Sequence, residues 1–436
     1  MSDNWAIEPL GWHCAVKARI GWRGLAASEY TDEGPFLIAG KHVRDGVIDW
    51  ASCDHITDAR YRESMEIALE SHDVIITKDG TIGRVARVDV LPGPATLNGT
   101  MMLLRPGGRL DYRYLFHVLR GSQFKRLIDD KVSGSSIPHI FQRDMVTLPI
   151  ALPPLDQQFL IAQVLDTLDS TIRQTEAIIA KLKQVKQGLL HDLLTRGIDA
   201  NGELRPPQSE APHLYKASPL GWIPHDWGVD TLAALSVGGL MNGVFKEPRR
   251  VGRGVALVNV ADLYRGEKIE LESCERFAAT AVEIDRFGVA KGDIFFTRSS
   301  LKLDGIAQTS IVEVDPNDAV FECHVMRLRP AARIIVPRYL KEWCVSRHAR
   351  SHFMSHAKQV TMTTISQDGI NTLLCPVPTI EEQAEAIRRV LAIDARISAE
   401  EQNLHKAQLL KSGLMDDLLT GLVRVTPLLT GGDSHG

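Results

Sequence analysis

The sequence predicts an α/β (α+β) chain built as two similar mixed α/β domains separated by two long coiled-coil helices, an internal repeat with pseudo-two-fold symmetry. Three observations carry that expectation. KQGLLHDLLTRG at 186–197 returns as KSGLMDDLLTG at 411–421, about half of the 436-residue chain later, which fits a duplicated unit better than a short solenoid repeat. Both phrases close the most periodic stretches of the chain. Each periodic stretch follows a segment of short β-type runs punctuated by Gly and Pro.

Length and composition agree. A chain of 436 residues with 44% hydrophobic content is large enough for more than one domain, each with its own core. No stretch approaches the ~18 apolar residues of a membrane span, and the opening MSDNWAIEPLGW has neither a basic start nor an apolar segment, so a cytoplasmic location is expected. Cys14, Cys53, Cys274, Cys323, Cys344 and Cys375 form no CxxC pair and are expected to be reduced, mostly structural thiols. Fifty basic against 54 acidic residues leave a net charge of −4, so any nucleic-acid surface has to be local.

Laid over each other, the halves share an order of elements. The tetrapeptide PLGW stands at 9–12 and again at 219–222, near the start of each half. Asp73-Val-Ile-Ile-Thr77 and Asp293-Ile-Phe-Phe-Thr297 each run into a polar loop and back into an apolar strand, which predicts a hairpin twice. A surface helix is expected over 111–128 and over 337–357. Polar exit segments follow at 131–154 and 358–378, both ending at proline. The expected boundaries are 1–152 for the first domain, 153–197 for the first helix, 198–217 for a linker, 218–378 for the second domain, 379–421 for the second helix and 422–436 for a flexible tail.

The helices show a seam of fours and threes. It runs through Ile161, Leu165, Leu168, Ile172, Thr175, Ile179, Leu182, Leu189 and Leu193 in the first, and through Val390, Ile393, Ile397, Leu404, Ala407, Leu414 and Leu418 in the second, with Glu400 and Lys411 interrupting it. At ~1.5 Å per residue, about 40 residues extend about 60 Å. Gly188 and Gly413 lie inside this helical text, where Gly costs about 1 kcal/mol relative to Ala. Their presence in both copies predicts close helix–helix approach beside Leu189, Leu193, Leu414 and Leu418.

No catalytic constellation accompanies these features. The chain lacks GxxxxGK[ST], HExxH, GxSxG and the Asn/Asp-Pro-Pro-aromatic tetrapeptide of amino-methyltransferases. Asp262, Glu267 and Lys268 in DLYRGEK have the wrong spacing for a metal-dependent nuclease, and the fifteen histidines are scattered. No catalytic or metal site and no cofactor in this chain are therefore expected. Polar and cationic residues do gather at loop tips. In the first half these are Lys78, Thr81 and Arg84, followed by Lys131, Ser133, Ser135, Ser136, His139 and Gln142 in the exit segment. The second half offers Lys246, Arg249, Arg250 and Arg253 in one loop, and Arg298, Ser299, Ser300 and Lys302 at the hairpin tip. Its exit segment adds Lys358, Gln359, Thr361, Thr363 and Thr364. Arg and Lys suit phosphates and guanine edges, Gln suits adenine, and Ser or Thr contacts either. Their recurrence at matching places predicts a DNA-binding face in each half. A rival from another class is a two-domain coiled-coil scaffold that binds proteins or glycans.

The chain resembles the specificity subunit of type I restriction–modification systems. The resemblance rests on Pro219-Leu-Gly-Trp222, Gly80-Thr81-Ile82-Gly83, Ser135-Ser136-Ile137-Pro138-His139 leading to Leu152-Pro-Pro-Leu155, and Gln157-Gln158 with Ile161 and Val164-Leu165. The helix ending in Gly188 to Thr195 completes the first copy. Glu382-Gln383, Ile387, Val390-Leu391 and Gly413 to Thr420 repeat the tail of that pattern. One departure stands out: RSSLKLDG occupies the place of the GTIG loop in the second half. The resemblance implies a non-catalytic reader of double-stranded DNA, with each half a target recognition domain for one half of a split, asymmetric target. It implies that the helices lie antiparallel and set the gap. It also implies two modification subunits, which bind S-adenosylmethionine and methylate adenine, and restriction subunits that join for cleavage.

Overall fold

The computed structural model describes residues 5–18, 25, 27–133, 138–359 and 362–426. The chain divides into two compact units, Met1–Ala177 with Glu401–Gly436, and Ile178–Glu400. Two helices of 41 residues, Leu155–Thr195 and Ile380–Thr420, each contribute to both units.

In the first unit a four-stranded antiparallel sheet runs in the order Cys14–Lys17, Met101–Pro106, Val74–Thr77, Val85–Arg87. A three-stranded sheet runs Asp54–Ile56, Tyr30–Ile38, Ala95–Leu97, its second pair parallel. Val74, Ile75 and Ile76 are fully buried because apolar material covers both faces of their strand, which is why they read as a continuous run rather than an alternating one. Asp73, at the start of that strand, is 1% exposed. It accepts two hydrogen bonds from Arg105 at 2.7 and 2.8 Å and one from the Glu70 N–H at 2.7 Å.

The second unit has the same strand orders. Its four-stranded sheet is Met241–Asn242, Val325–Leu328, Ile294–Thr297, Thr309–Ile311, and its three-stranded sheet is Glu275–Phe277, Val251–Val258, Ala319–Phe321. Asp293, fully buried, takes the Arg329 guanidinium at 2.7 and 2.8 Å and the Ala290 N–H at 2.8 Å. The arginine-proline pairs that close MMLLRP and VMRLRP thus answer the aspartates that open the neighbouring strands.

Two further clips attach the helices. Gln158, fully buried, accepts from the Asp111 N–H and donates to the Arg109 and Pro153 carbonyls. Gln383 does the same with the Val336 N–H and the Ile334 and Pro378 carbonyls. Each clip satisfies a buried side-chain amide while tying the first helical turn to a loop of the domain.

The units also correct the expected alignment at their edges. Ala6–Pro9 pairs with Pro149–Leu152, and its counterpart pairing with Leu374–Val377 is Gly228–Thr231. Trp5 therefore matches Trp227, each indole N–H donating to the third residue of a long helix, Gln157 at 3.2 Å and Glu382 at 3.1 Å. The second PLGW lies upstream of this match, in the hairpin Tyr215–Ser218 with Gly221–Pro224, so the two tetrapeptides are not equivalent. The segment expected as a linker, 198–217, is packed. Arg205 is 8% exposed and binds Glu382 at 2.5 Å and Asp226 at 2.9 Å, and Ile198 donates its N–H to Glu382 at 2.6 Å. Of the expected flexible tail, 427–436 lie outside the described residues, whereas Val425 is buried and Arg424 stacks over Trp5 at 4.5 Å.

Within each unit the long-helix segments run antiparallel. Ile161 and Leu165 share a core with Leu414 and Leu418, while Asp169 pairs with Lys411. In the other unit Leu189 and Leu193 meet Ile387 and Val390, while Lys186 pairs with Asp394 at 2.6 Å. Ile179 and Ile397 are buried; Leu168, Ile172, Leu182, Ile393 and Leu404 are half-buried.

Gly188 and Gly413 are exposed, and a Cβ at either would meet nothing within 4 Å. They are not close-packing devices. The glycines that matter come at the helix ends: Gly197 (φ +64°) and Gly421 (φ +74°) are left-handed, and added Cβ atoms there would strike Trp227 and Trp5, respectively. Gly188→Ala and Gly413→Ala should each raise stability to urea by about 1 kcal/mol. Gly197→Ala should lower it, since the side chain would be both strained and blocked.

Candidate nucleic-acid interface

The hairpin tips are built on a threonine. Thr77 Oγ1 donates to the Thr81 carbonyl at 2.6 Å and accepts from the Arg84 N–H at 2.9 Å, and the Gly83 N–H returns to the Thr77 carbonyl at 2.9 Å. In the second unit Thr297 Oγ1 donates to Gly305 at 3.1 Å and accepts from the Gln308 N–H at 2.9 Å, and the Ala307 N–H returns to Thr297 at 3.1 Å. Gly83 (φ +82°) and Ala307 (φ +49°) hold the same left-handed position. The turn of the GTIG loop is therefore present in the second half as Gly305-Ile306-Ala307. RSSLKLD ahead of it stands where the first half has Lys78-Asp79-Gly80 and is four residues longer.

Main-chain pairing then brings each exit segment to its tip. Ile140 donates to the Lys78 carbonyl, and Ile365 donates to the Arg298 carbonyl, both at 3.0 Å. Asp79 bridges to His139, and in the second unit Ser299–Ser300 pair with Thr363–Thr364, which in turn pair with Lys358–Gln359. Tip and exit segment form one surface in each unit.

The side chains on that surface differ between units. In the first, His139 binds Asp79, and its ring lies 4.3 Å from that of Phe141. Phe141 is 44% exposed, with the Arg143 guanidinium 4.6 Å and the Lys131 ammonium 5.8 Å from its ring centroid. An exposed aromatic flanked by cations suits base stacking beside a phosphate. Phe141 and Arg143 were not expected from the sequence, because nothing in linear spacing separates an exposed Phe from a core one. In the second unit Arg298, Lys302 and Lys358 are exposed and have no ion-pair partner among the described residues; Gln359 and Thr364 are exposed beside them.

Several expected contacts are committed elsewhere. Lys78 is 9% exposed and binds Asp79 at 2.9 Å, Gln142 donates to the Val16 carbonyl at 3.0 Å, and Thr363 is buried. Arg250 stacks on Phe277 at 4.4 Å and binds Glu283 and the Ala278 carbonyl, while Lys246 pairs with Glu275 at 2.5 Å. Lys131 pairs with Asp144 at 3.0 Å, and Ser133 donates to the Asp130 carbonyl at 3.2 Å. Arg84 is exposed but reaches the Gly40 carbonyl at 2.9 Å. Thr81, Arg249 and Arg253 are exposed. Ser135, Ser136 and Thr361 lie outside the described residues. Glu267 is structural: it binds Lys186, Arg338 and Lys341, and although burial opposes ionisation, these cations hold its carboxyl down at about 2.

Burial pushes the Asp79 carboxyl up, but hydrogen bonds from Lys78 and His139 outweigh it and hold the group below its ordinary value. A depressed carboxylate contributes stability above its unfolded value near ~4, and that contribution is lost as pH falls through the folded value. Hydrogen exchange at the Ile140 amide should therefore quicken as pH is lowered through the carboxylate range, after correction for intrinsic rates. Asp79→Asn should remove that dependence.

Residues 41–184 match the family described as the type I restriction modification DNA specificity domain. The EcoKI specificity subunit of Escherichia coli K12 is 22% identical, over 97% of this chain and 89% of its own. The MjaVIII specificity subunit of Methanocaldococcus jannaschii is 24% identical over 98% and 94%, and the E. coli EcoBI specificity subunit is 26% identical over 76% and 69%. The solved S subunit of a type I system from M. genitalium shares the fold, with a TM-score of 0.56 at 16% identity and 96% of each chain covered. The family match over 41–184, the near full-length relatives and the shared fold all point the same way: this chain is similar to the specificity subunits of type I restriction–modification systems.

Proposed function

We infer that the chain supplies DNA sequence specificity to a type I restriction–modification complex, one unit reading each half of a split, asymmetric target. The observation that carries this reading is the pair of tips. One main-chain scaffold, fixed by Thr77 or Thr297 and by the Ile140 or Ile365 amide, presents an aromatic-cation cluster in one unit and an Arg/Lys/Gln/Thr surface in the other. Equal frames with unequal side chains suit half-sites of unequal sequence.

In this reading 1–152 and 218–378 are the target recognition domains. The helices over 153–197 and 379–421 form an antiparallel coiled coil that sets the gap, relating the halves by a pseudo-two-fold axis. Two-fold readers address two half-sites along one duplex. Two modification subunits, carrying S-adenosylmethionine, dock on this frame and methylate adenine; restriction subunits join for cleavage. The chain itself is non-catalytic. A net charge of −4 fits a subunit that discriminates between sequences while its partners supply much of the phosphate contact.

Methylome sequencing of a host expressing this chain with a cognate modification subunit should reveal a new split adenine-methylated motif that neither chain produces alone. No motif from a soluble, associated pair would refute the reading. Replacing residues 1–150 by those of a relative should change one half of the motif and leave the other. Adding four residues to the first long helix, about 6 Å or roughly two base-pair rises, should change the permitted gap and leave the half-site letters intact.

A further inference from the structure

Resting on that reading, we propose that the first unit alone carries a phosphate-binding cleft, formed by Arg44, Arg84 and Lys125, that grips the DNA backbone beside its recognition tip. The cleft measures about 660 Å³ and lies between the Val43–Arg44 hairpin, the Gly83–Val85 turn and the helix Ser122–Ser133. Four cationic side chains line it, Arg44, Arg84, Arg120 and Lys125, against the single carboxylate of Asp45. Arg120 is occupied by Asp169 at 2.8 Å. Arg44 and Lys125 are exposed, and among the described residues neither has a side-chain partner. Among the described residues the Arg84 guanidinium is held only by the Gly40 carbonyl, a neutral acceptor that leaves its charge available. Three cations without an ion-pair partner against one carboxylate leave the open groove net positive and a site for an anion, and a run of phosphates on a duplex supplies one without any sequence requirement.

The second unit shows what the same place looks like when it is closed. His42 caps the Ala39 N–H as Asp262 caps the Asn259 N–H, so Arg44, two residues on, matches Tyr264. The Lys125 N–H donates to Gly121 as the Arg350 N–H donates to Ser346, so Lys125 matches Arg350. Tyr264 donates its hydroxyl to the Gly305 carbonyl at 2.8 Å. Arg350 donates to the carbonyls of Ile306 at 2.6 Å, Ala307 at 3.1 Å and Asp304 at 2.8 Å. Both side chains are spent on the tip turn of their own unit. In the first unit the tip turn is held without them, and the equivalent side chains are left facing the groove.

The two units then divide the work unequally. At this place the first unit has cations free to meet the DNA backbone, whereas in the second Tyr264 and Arg350 are spent on the tip turn.

The test uses the complex of this chain with its modification subunit and a duplex bearing the methylated motif. Binding is followed by fluorescence anisotropy across a salt series. Arg44→Ala with Lys125→Ala should weaken binding about tenfold at physiological salt. It should also flatten the slope of log affinity against log salt by about two, since each phosphate contact contributes ~0.9, while the methylated sequence stays the same. Lys125→Arg with Arg44 intact should keep the wild-type slope. Unchanged affinity and slope in an intact double-variant complex would sink the cleft and leave the reader assignment standing. Loss of the modification subunit from a folded double variant would make the groove a protein-docking surface instead. A wild-type complex that neither binds nor methylates a split duplex would overturn both.

Discussion

The cross-helix pair of lysine and aspartate is the constraint on which the rest of this chain depends. Asp169 of the first long helix meets Lys411 of the second, and Lys186 of the first meets Asp394 of the second. The two pairs are separated by the same displacement along the chain that relates Gly188 to Gly413. Burial by itself would raise the Asp169 carboxyl, but Lys411 and Arg120 keep it below its ordinary value; burial would lower Lys186, but Asp394 and Glu267 raise it. An apolar seam can slip along its length at modest cost. A half-buried ion pair cannot, because each partner moved away from the other is left desolvated without compensation. Lys411, which interrupts the hydrophobic pattern, is thus part of the register device.

Each pair is also tied into its own domain. In the first unit Arg120 shares Asp169, while Arg87 and His117 bind the neighbouring Asp166 at 2.6 and 2.9 Å. In the second, Arg338 reaches Asp394 and Glu313, and Glu267 joins Lys186 to Lys341. Together with the Gln158 and Gln383 clips and the tryptophan–glycine contacts at the helix ends, these links leave the helical segments fastened to the domains at several points.

Against that common frame, the units vary most at the tips and in the groove beside them. The Asp–Arg clamps, the buried glutamines and the threonine turns recur with matching partners and distances. The side chains on the tips share almost nothing between units, and the groove beside the tip is open in one and closed by Tyr264 and Arg350 in the other. In the proposed function this is what a duplicated reader of an asymmetric target requires, since changing letters must not disturb the distance between them. The alternative of a protein- or glycan-binding scaffold leaves the matched tips unexplained.

The sequence by itself determined the duplication, the two long helices and the alignment of Asp73-Val-Ile-Ile-Thr77 with Asp293-Ile-Phe-Phe-Thr297, because periodicity and strand-turn punctuation are local properties. The tips were legible as regions for the same reason. Which side chains face outward was not: Gln142 and Arg250 read as surface residues but are engaged by partners distant in the chain, and Lys78 and Thr363 are buried by the fold. Repeated text also misled twice. PLGW recurs out of register, and the repeated Gly188 and Gly413 pack against nothing, while the left-handed Gly197 and Gly421 hold the helix ends. Only the tertiary structure could decide these points, because a hydrogen-bond partner or a neighbouring ring is fixed by what the fold brings close, and linear spacing carries no record of it.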